Sequence, residues 1–148
     1  MLEFSENGRP LHNADMDSVE SQLNVRLPEV YRTFLLEFNG GRPSLDIVDI
    51  GLAPRSPTDV QVFFGIGRNI ESSDLLWNAR QFSGRLPNRD LLPIACDSNG
   101  NLFCLEVKEE RAGRIFYCDV TPREPKQYLV SNSFDEFLDK LHAWVEPV

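Results

Sequence analysis

Histidine is nearly missing from this sequence, with two residues in 148, and cysteine occurs only three times. His12 lies in the lead-in, and His142 borders the apolar stripe near the end of the last predicted helix, where a cation is mildly favoured by the dipole and a structural role is expected. No Gly-x-Ser-x-Gly elbow, His-Glu-x-x-His pair or Walker loop occurs, which removes the common routes to nucleophilic, zinc-assisted and phosphoryl-transfer chemistry. Cys96, Cys104 and Cys118 are odd in number, widely spaced and set in predicted strands, as reduced, buried thiols of a cytoplasmic protein would be. The opening Met-Leu-Glu-Phe-Ser-Glu carries acids and no apolar run, so neither a signal peptide nor a membrane span is expected.

Positive charge is also short. Fifteen Lys and Arg stand against 23 Asp and Glu, for a net charge of −8. The imbalance is uneven: residues 1–74 contribute −6, residues 75–126 contribute +1 and residues 127–148 contribute −3. A surface of this kind lacks the clustered cations that phosphate binding needs, so nucleic acid is excluded as the expected partner. A basic protein fits it.

What is present organises around Leu91–Val107, two apolar runs folded about Asn99-Gly100. Both central positions of a type I′ turn need φ > 0, which Asn tolerates and Gly adopts freely, so the stretch predicts a two-residue β-hairpin. In that register Cys96 faces Phe103. Ile94, Cys96, Phe103 and Leu105 then share one face, and Ala95, Asp97, Leu102 and Cys104 the other. Cys96 and Cys104 would diverge, which argues against a zinc site.

Around this hairpin the chain reads as follows. Residues 1–14 lack periodicity and form a loosely held lead-in. Asp15–Leu23 predicts a short helix, and a second opens after Pro28 with Val30, Tyr31, Phe34, Leu35 and Phe38 as its core stripe, closed by Asn39-Gly40-Gly41. Residues 45–50 predict a strand, residues 51–59 a loop and Val60–Phe64 another strand, rich in β-branched and aromatic residues. Ser72 or Ser73 caps a helix reaching about Gly84. Lys108–Gly113 is a charged turn, Arg114–Cys118 a strand, 119–127 a polar loop and Tyr128–Val130 a last short strand. Ser133-Phe134-Asp135-Glu136 is a capping box opening a helix whose stripe is Phe134, Phe137, Leu138, Leu141, Trp144 and Val145. No repeat or linker divides the 148 residues, so one domain is expected across 1–148.

Two partial motifs are set aside. Gly65-Ile66-Gly67 begins like a dinucleotide fingerprint, but Ile70 stands where the third glycine belongs. Asp97, Asn99, Gly100 and Glu106 match the third, fifth, sixth and twelfth positions of a calcium loop, yet Ala95 stands at the first and strands flank it where helices should. Adjacent acids such as Glu109-Glu110 and Asp135-Glu136 read as solvated pairs, with nothing to raise a carboxyl pKa for acid–base work. No catalytic residue, metal or cofactor is expected.

Three blocks, in order, carry a resemblance. Leu27-Pro28, Tyr31, Phe34-Leu35 and Asn39-Gly40-Gly41 form the first; Leu92-Pro93-Ile94-Ala95, Asp97 and Gly100-Asn101 the second; Ser133-Phe134, Glu136-Phe137-Leu138 and Leu141 the third. Together they resemble the SUKH superfamily, the Smi/Knr-like proteins, over roughly residues 15–145. Asn101 and Glu106 stand where many members have Asp. The resemblance implies an α+β domain, a mainly antiparallel sheet of about four to six strands with helices packed around it. It also implies a non-catalytic role: many bacterial members are immunity proteins that bind and neutralise a toxin, often a nuclease or deaminase, and fungal relatives regulate cell-wall synthesis through protein contacts. The expected partner is thus a basic toxin, and the expected contacts are Asp46, Asp49, Asp59, Glu71, Asp74 and Asp97. A regulatory module with a non-toxin protein partner is the reading from a second class; the surroundings of the gene separate the two.

Overall fold

The computed structural model of the protein describes residues 2–54, 56–108 and 112–146. In chain order its elements are β1 (Phe4–Ser5), α1 (Asn13–Leu23), α2 (Glu29–Phe38), β2 (Arg42–Pro43), β3 (Ile47–Val48), β4 (Thr58–Asp59) and β5 (Val62–Phe63). A single 3-10 turn at Glu71–Ser73 then leads into α3 (Leu75–Gln81), β6 (Leu91–Cys96), β7 (Leu102–Glu106), β8 (Ile115–Asp119), β9 (Lys126–Ser131) and α4 (Phe134–Lys140). β5 to β9 form a five-stranded antiparallel sheet in sequence order, while β1–β2 and β3–β4 are separate two-stranded ribbons. The class is α+β, as the sequence implies.

All five residues of β7 are buried, so the centre of the sheet is covered on both faces. On one face Phe137 of α4 meets Phe103 at 5.3 Å between ring centroids. From there an aromatic cluster runs through Phe63 and Phe134 to Phe34 of α2, with Phe34 centred 5.3 Å from Phe63 and 4.9 Å from Phe134. Such tilted and edge-on pairs add to the apolar burial that holds α2 and α4 on the sheet. The lead-in joins this cluster: Phe4 pairs with Pro43 across the β1–β2 ribbon, and its ring lies 4.5 Å from that of Phe38. Phe4 is therefore held against the core by an apolar contact that the segment's lack of periodicity conceals.

The hairpin exists but turns differently. Asp97 N–H donates to the Asn101 carbonyl at 3.0 Å and Gly100 N–H to the Asp97 carbonyl at 3.3 Å. Gly100 has φ of 85°, and Asn99 is not in the left-handed region. This is a three-residue loop, a type I turn followed by a left-handed glycine. The extra residue shifts the register, so Cys96 pairs with Leu102 and Ala95 with Phe103. A one-residue slip exchanges faces: Ala95 and Asp97 join Phe103, and Cys96 joins Leu102 and Cys104. A bulge at Ile94, between Pro93 and Ala95, keeps the strand apolar on both sides. The expected divergence of Cys96 and Cys104 is thus overturned. Cys118, opposite Leu102, shares their face, and burial together with a thiol hydrogen bond to Cys118 pushes the Cys104 thiol well above its usual value.

Other boundaries move for local reasons. α3 is capped by neither Ser72 nor Ser73: Asp74 Oδ2 accepts the Trp77 N–H at 3.0 Å. Val30 is 43% exposed, so the α2 core stripe starts at Tyr31. Ser133 caps α4 as expected, its Oγ accepting the Glu136 N–H at 3.1 Å. The helix stops at Lys140 because His142 and Ile47 exchange backbone hydrogen bonds of 2.9 Å in both directions, which requires extended chain. Trp144 and Val145, expected on the buried stripe, are 64% and 71% exposed. The Glu109-Glu110 pair lies outside the described residues.

The first sequence block is a backbone junction. Asn39 ends α2 with φ of 47°, and its side chain receives the Ile66 N–H at 2.7 Å while donating to the carbonyls of Arg9 and Ile66 at 3.0 and 3.1 Å. A Cβ at Gly40, where φ is 78°, would come within 2.6 Å of the Phe63 carbonyl, and one at Gly65 would overlap the Asn39 carbonyl. Gly65-Ile66-Gly67 is half of this junction and not a phosphate cradle.

Three stability changes follow. Gly65→Ala should destabilise by about 2 kcal/mol or more through overpacking against backbone, and Ser133→Ala by about 1 kcal/mol through loss of the cap. Tyr31, whose Oη is buried without a hydrogen-bond partner among the described residues, should tolerate Phe with no loss or a gain of up to about 1 kcal/mol. Urea unfolding of the three variants beside the parent measures all of these.

Candidate functional site

The six acids proposed from sequence separate into two places and two kinds. Asp46, Asp49 and Asp59 lie on or beside the β3–β4 ribbon, which packs over the tip of the central hairpin. Ile47 pairs with Asp59, and Val48 with Thr58. Asp59 Oδ1 accepts both the backbone N–H and the hydroxyl of Ser98, at 3.0 and 2.9 Å, clamping the ribbon to the turn. Asp49 is exposed and Asp46 half-buried.

Asp97 lies beneath this ribbon and is 2% exposed. Its Oδ1 accepts the N–H groups of Asn99 and Asn101 at 3.0 and 2.8 Å, and its Oδ2 accepts the hydroxyls of Thr58 and Tyr117 at 3.0 and 2.5 Å. A charged acceptor with four donors is well satisfied away from water. Burial and this carboxylate both push the Tyr117 phenol up from its ordinary value. Asn101 extends the network, its Oδ1 accepting the Val120 N–H at 3.0 Å. Asp97 is accordingly a structural fastener, not a surface contact: its side chain has no face left for a partner.

Glu71 and Asp74 form the second place, at the start of α3. Glu71 is exposed, and its carbonyl accepts the Asp74 N–H at 2.9 Å. Asp74 is half-buried and committed at both oxygens, to Trp77 N–H and to Arg68 N–H, each at 3.0 Å. Of the six acids, Asp49 and Glu71 are the exposed ones, and among the described residues neither is in an ion pair.

The remaining chemistry-bearing groups are dispersed. Glu106 is 5% exposed and held by Arg114 through Nε at 2.7 Å and Nη2 at 3.0 Å, at the open end of the hairpin opposite Leu91. It therefore sits far from Asp97, and the calcium-like spacing does not converge. His142 lies in the bridge to Ile47, its Nδ1 2.8 Å from the Ala143 carbonyl, and His12 precedes α1. Among the described residues no group of three His, Cys, Asp or Glu side chains is arranged to hold a metal ion. Sequence reasoning missed Leu52, 95% exposed at the turn of the ribbon, and the outward Trp144. An apolar residue in a loop or past a capped helix carries no sign of its own exposure.

Asp97→Ala should cost about 3 kcal/mol or more, since it leaves the Thr58 and Tyr117 hydroxyls unsatisfied in the interior. Chemical denaturation measures it. Desolvation, aided by Asp97 and Asp59, pushes the Cys96 thiol up to about 11. Alkylation of Cys96 in the native protein should therefore be slow at neutral pH and rise through the alkaline range, followed by mass spectrometry.

Comparison with known proteins fits this geometry. The profile of the SMI1 / KNR4 family (SUKH-1) matches residues 10–140. The chain is also similar to a protein of Bacillus subtilis (strain 168) named SPbeta prophage-derived uncharacterized protein YokK, at 24% identity over an alignment 146 residues long, with 87% of this chain and 73% of that one covered. The profile takes in the Asn39 junction, the Asp97 network and the Ser133-capped helix alike, and the chain belongs to the SMI1/KNR4 (SUKH-1) family.

Proposed function

We propose that this protein is a cytoplasmic immunity protein, which neutralises a polymorphic toxin delivered by contact or secretion by binding it directly through an acidic surface. The toxin would be a basic enzyme, a nuclease or deaminase. The observation that carries the reading is the rigid presentation of acids on the β3–β4 ribbon. Asp59 and Thr58 are fastened to the hairpin tip, so the exposed Asp49 and the half-buried Asp46 sit on a braced support. A braced backbone segment loses less entropy on docking than a mobile one. Family membership and likeness to a protein named as prophage-derived support the same reading.

The mechanism is steering followed by obstruction. A nuclease or nucleic-acid deaminase must be basic where it holds phosphate, and a net charge of −8 raises the rate at which such a surface is met. Once docked, Asp46, Asp49 and Glu71 would occupy positions that substrate phosphates otherwise take. No bond is made or broken. The buried acids Asp97 and Glu106 support this non-catalytic role, each being committed to structural donors.

Co-expression with the toxin domain encoded beside the gene should restore growth of the host cell. Association measured by stopped flow should slow by about tenfold between 50 and 500 mM salt, and Asp49→Asn with Glu71→Gln should lower the on-rate severalfold with the fold intact. An affinity and on-rate indifferent to salt would remove the electrostatic mechanism, and failure to rescue would remove the immunity reading.

A further inference from the structure

At the end of the sheet away from the β3–β4 ribbon, the structure holds a groove of about 540 Å³ between the end of α1, the segment after α3 and the first residues of β6. Leu23, Val25, Phe82, Leu86, Leu92 and Val107 give it an apolar lining. No acid lines it among the described residues, and Arg89, which is exposed, stands at its edge. Arg85 lies over the Phe82 ring at 5.1 Å but belongs to the cleft beside the hairpin tip, so Arg89 is the cation of this groove among the described residues. The adjoining cleft brings Arg26, along with Asp90 and a Glu20 already held by Arg32. In a chain of net charge −8 the groove itself carries one cation, Arg89, and no acid among the described residues.

The same chain exposes a segment of the opposite character. After His142 the backbone carries Trp144 and Val145, 64% and 71% exposed, followed by Glu146. Exposed tryptophan beside an apolar neighbour is the composition of an interface anchor. This anchor cannot reach its own groove. His142 is bridged to Ile47, which pairs with Asp59 at the hairpin tip, whereas the groove is lined by Leu91 and Val107 at the open end. Six residues of strand, roughly 20 Å, separate the two ends, and two residues beyond the bridge span about 7 Å.

We propose that two copies of this chain associate reciprocally, the Trp144-Val145 segment of each seated in the Leu23–Phe82–Leu92 groove of the other, with Glu146 beside the partner copy's Arg89. Both anchors are seated at once only if the two copies lie antiparallel about a two-fold axis, which closes the pair; the same contact made head to tail would instead propagate. The indole fills the apolar part of the groove, and the acid meets Arg89. The anchor and groove residues are not among the acids proposed to meet the toxin, and the dimer is read with no toxin present.

Sedimentation velocity and light scattering of the full chain between roughly 1 and 300 µM, the range in which a modest interface titrates, should show a monomer–dimer equilibrium. Trp144→Ala should weaken dimerisation by at least about tenfold. Arg89→Glu should weaken it likewise, and the double variant Arg89→Glu with Glu146→Arg should recover most of the loss. On a Trp77→Phe background, the emission of the remaining indole should shift to the blue as concentration rises. Far-UV circular dichroism and thermal unfolding establish that each variant is folded; the altered side chains are exposed. A monomer at every concentration, or a dimer untouched by Trp144→Ala, overturns the proposal.

Discussion

One buried carboxylate holds this structure in register. Asp97 takes two backbone N–H groups of its own turn and two hydroxyls, from Thr58 on the ribbon above and Tyr117 two strands away. The backbone pair shapes the three-residue turn and thereby fixes which side chains of β6 meet which of β7. The hydroxyl pair fastens two further elements to the same point. A charge in the interior is tolerated only when its hydrogen-bonding capacity is filled, so the turn, the ribbon and β8 must be in place together. The second sequence block is the linear trace of this requirement.

A second junction organises the other side of the core. Asn39 must adopt a left-handed conformation at the end of α2, and its side chain then reads the backbone of the Ile66 turn as a strand partner would. Gly40 and Gly65 are small because backbone passes backbone there. Between the two junctions lie Phe34, Phe63, Phe103, Phe134 and Phe137, whose close contacts join helices to sheet. Polar residues thus set direction, and aromatic residues supply the apolar burial that drives collapse.

The acids of this chain are divided by burial into different duties. Asp97 and Glu106 are interior fasteners, Asp74 and Asp59 tie loops, and Asp49 and Glu71 face water. That division matters for the proposed role, because a surface meant to meet a basic partner needs charge that is exposed and yet rigidly carried. The ribbon supplies both properties: its outer residues remain hydrated while its inner face is held by Asp59 and Asp97. The groove at the far end, with Arg89 and no acid among its described lining residues, differs in character from the ribbon.

The sequence by itself determined the class of the fold, the existence of the central hairpin, helices α1 and α2, and the Ser133 cap, because each rests on local periodicity or on hydrogen bonds between residues a few positions apart. It marked Asn39-Gly40-Gly41 and Asp97 as special without saying why. Only the tertiary structure decided that Asp97 turns inward, since that depends on Thr58 and Tyr117, which are 39 and 20 residues away. The same holds for the facing of the cysteines, reversed by one extra residue in the turn, and for the end of α4, where the bridge to Ile47 overrides a stripe that helical spacing would have continued. Whether an acid or a tryptophan is buried depends on partners that distant chain brings to it, and local pattern has no access to those.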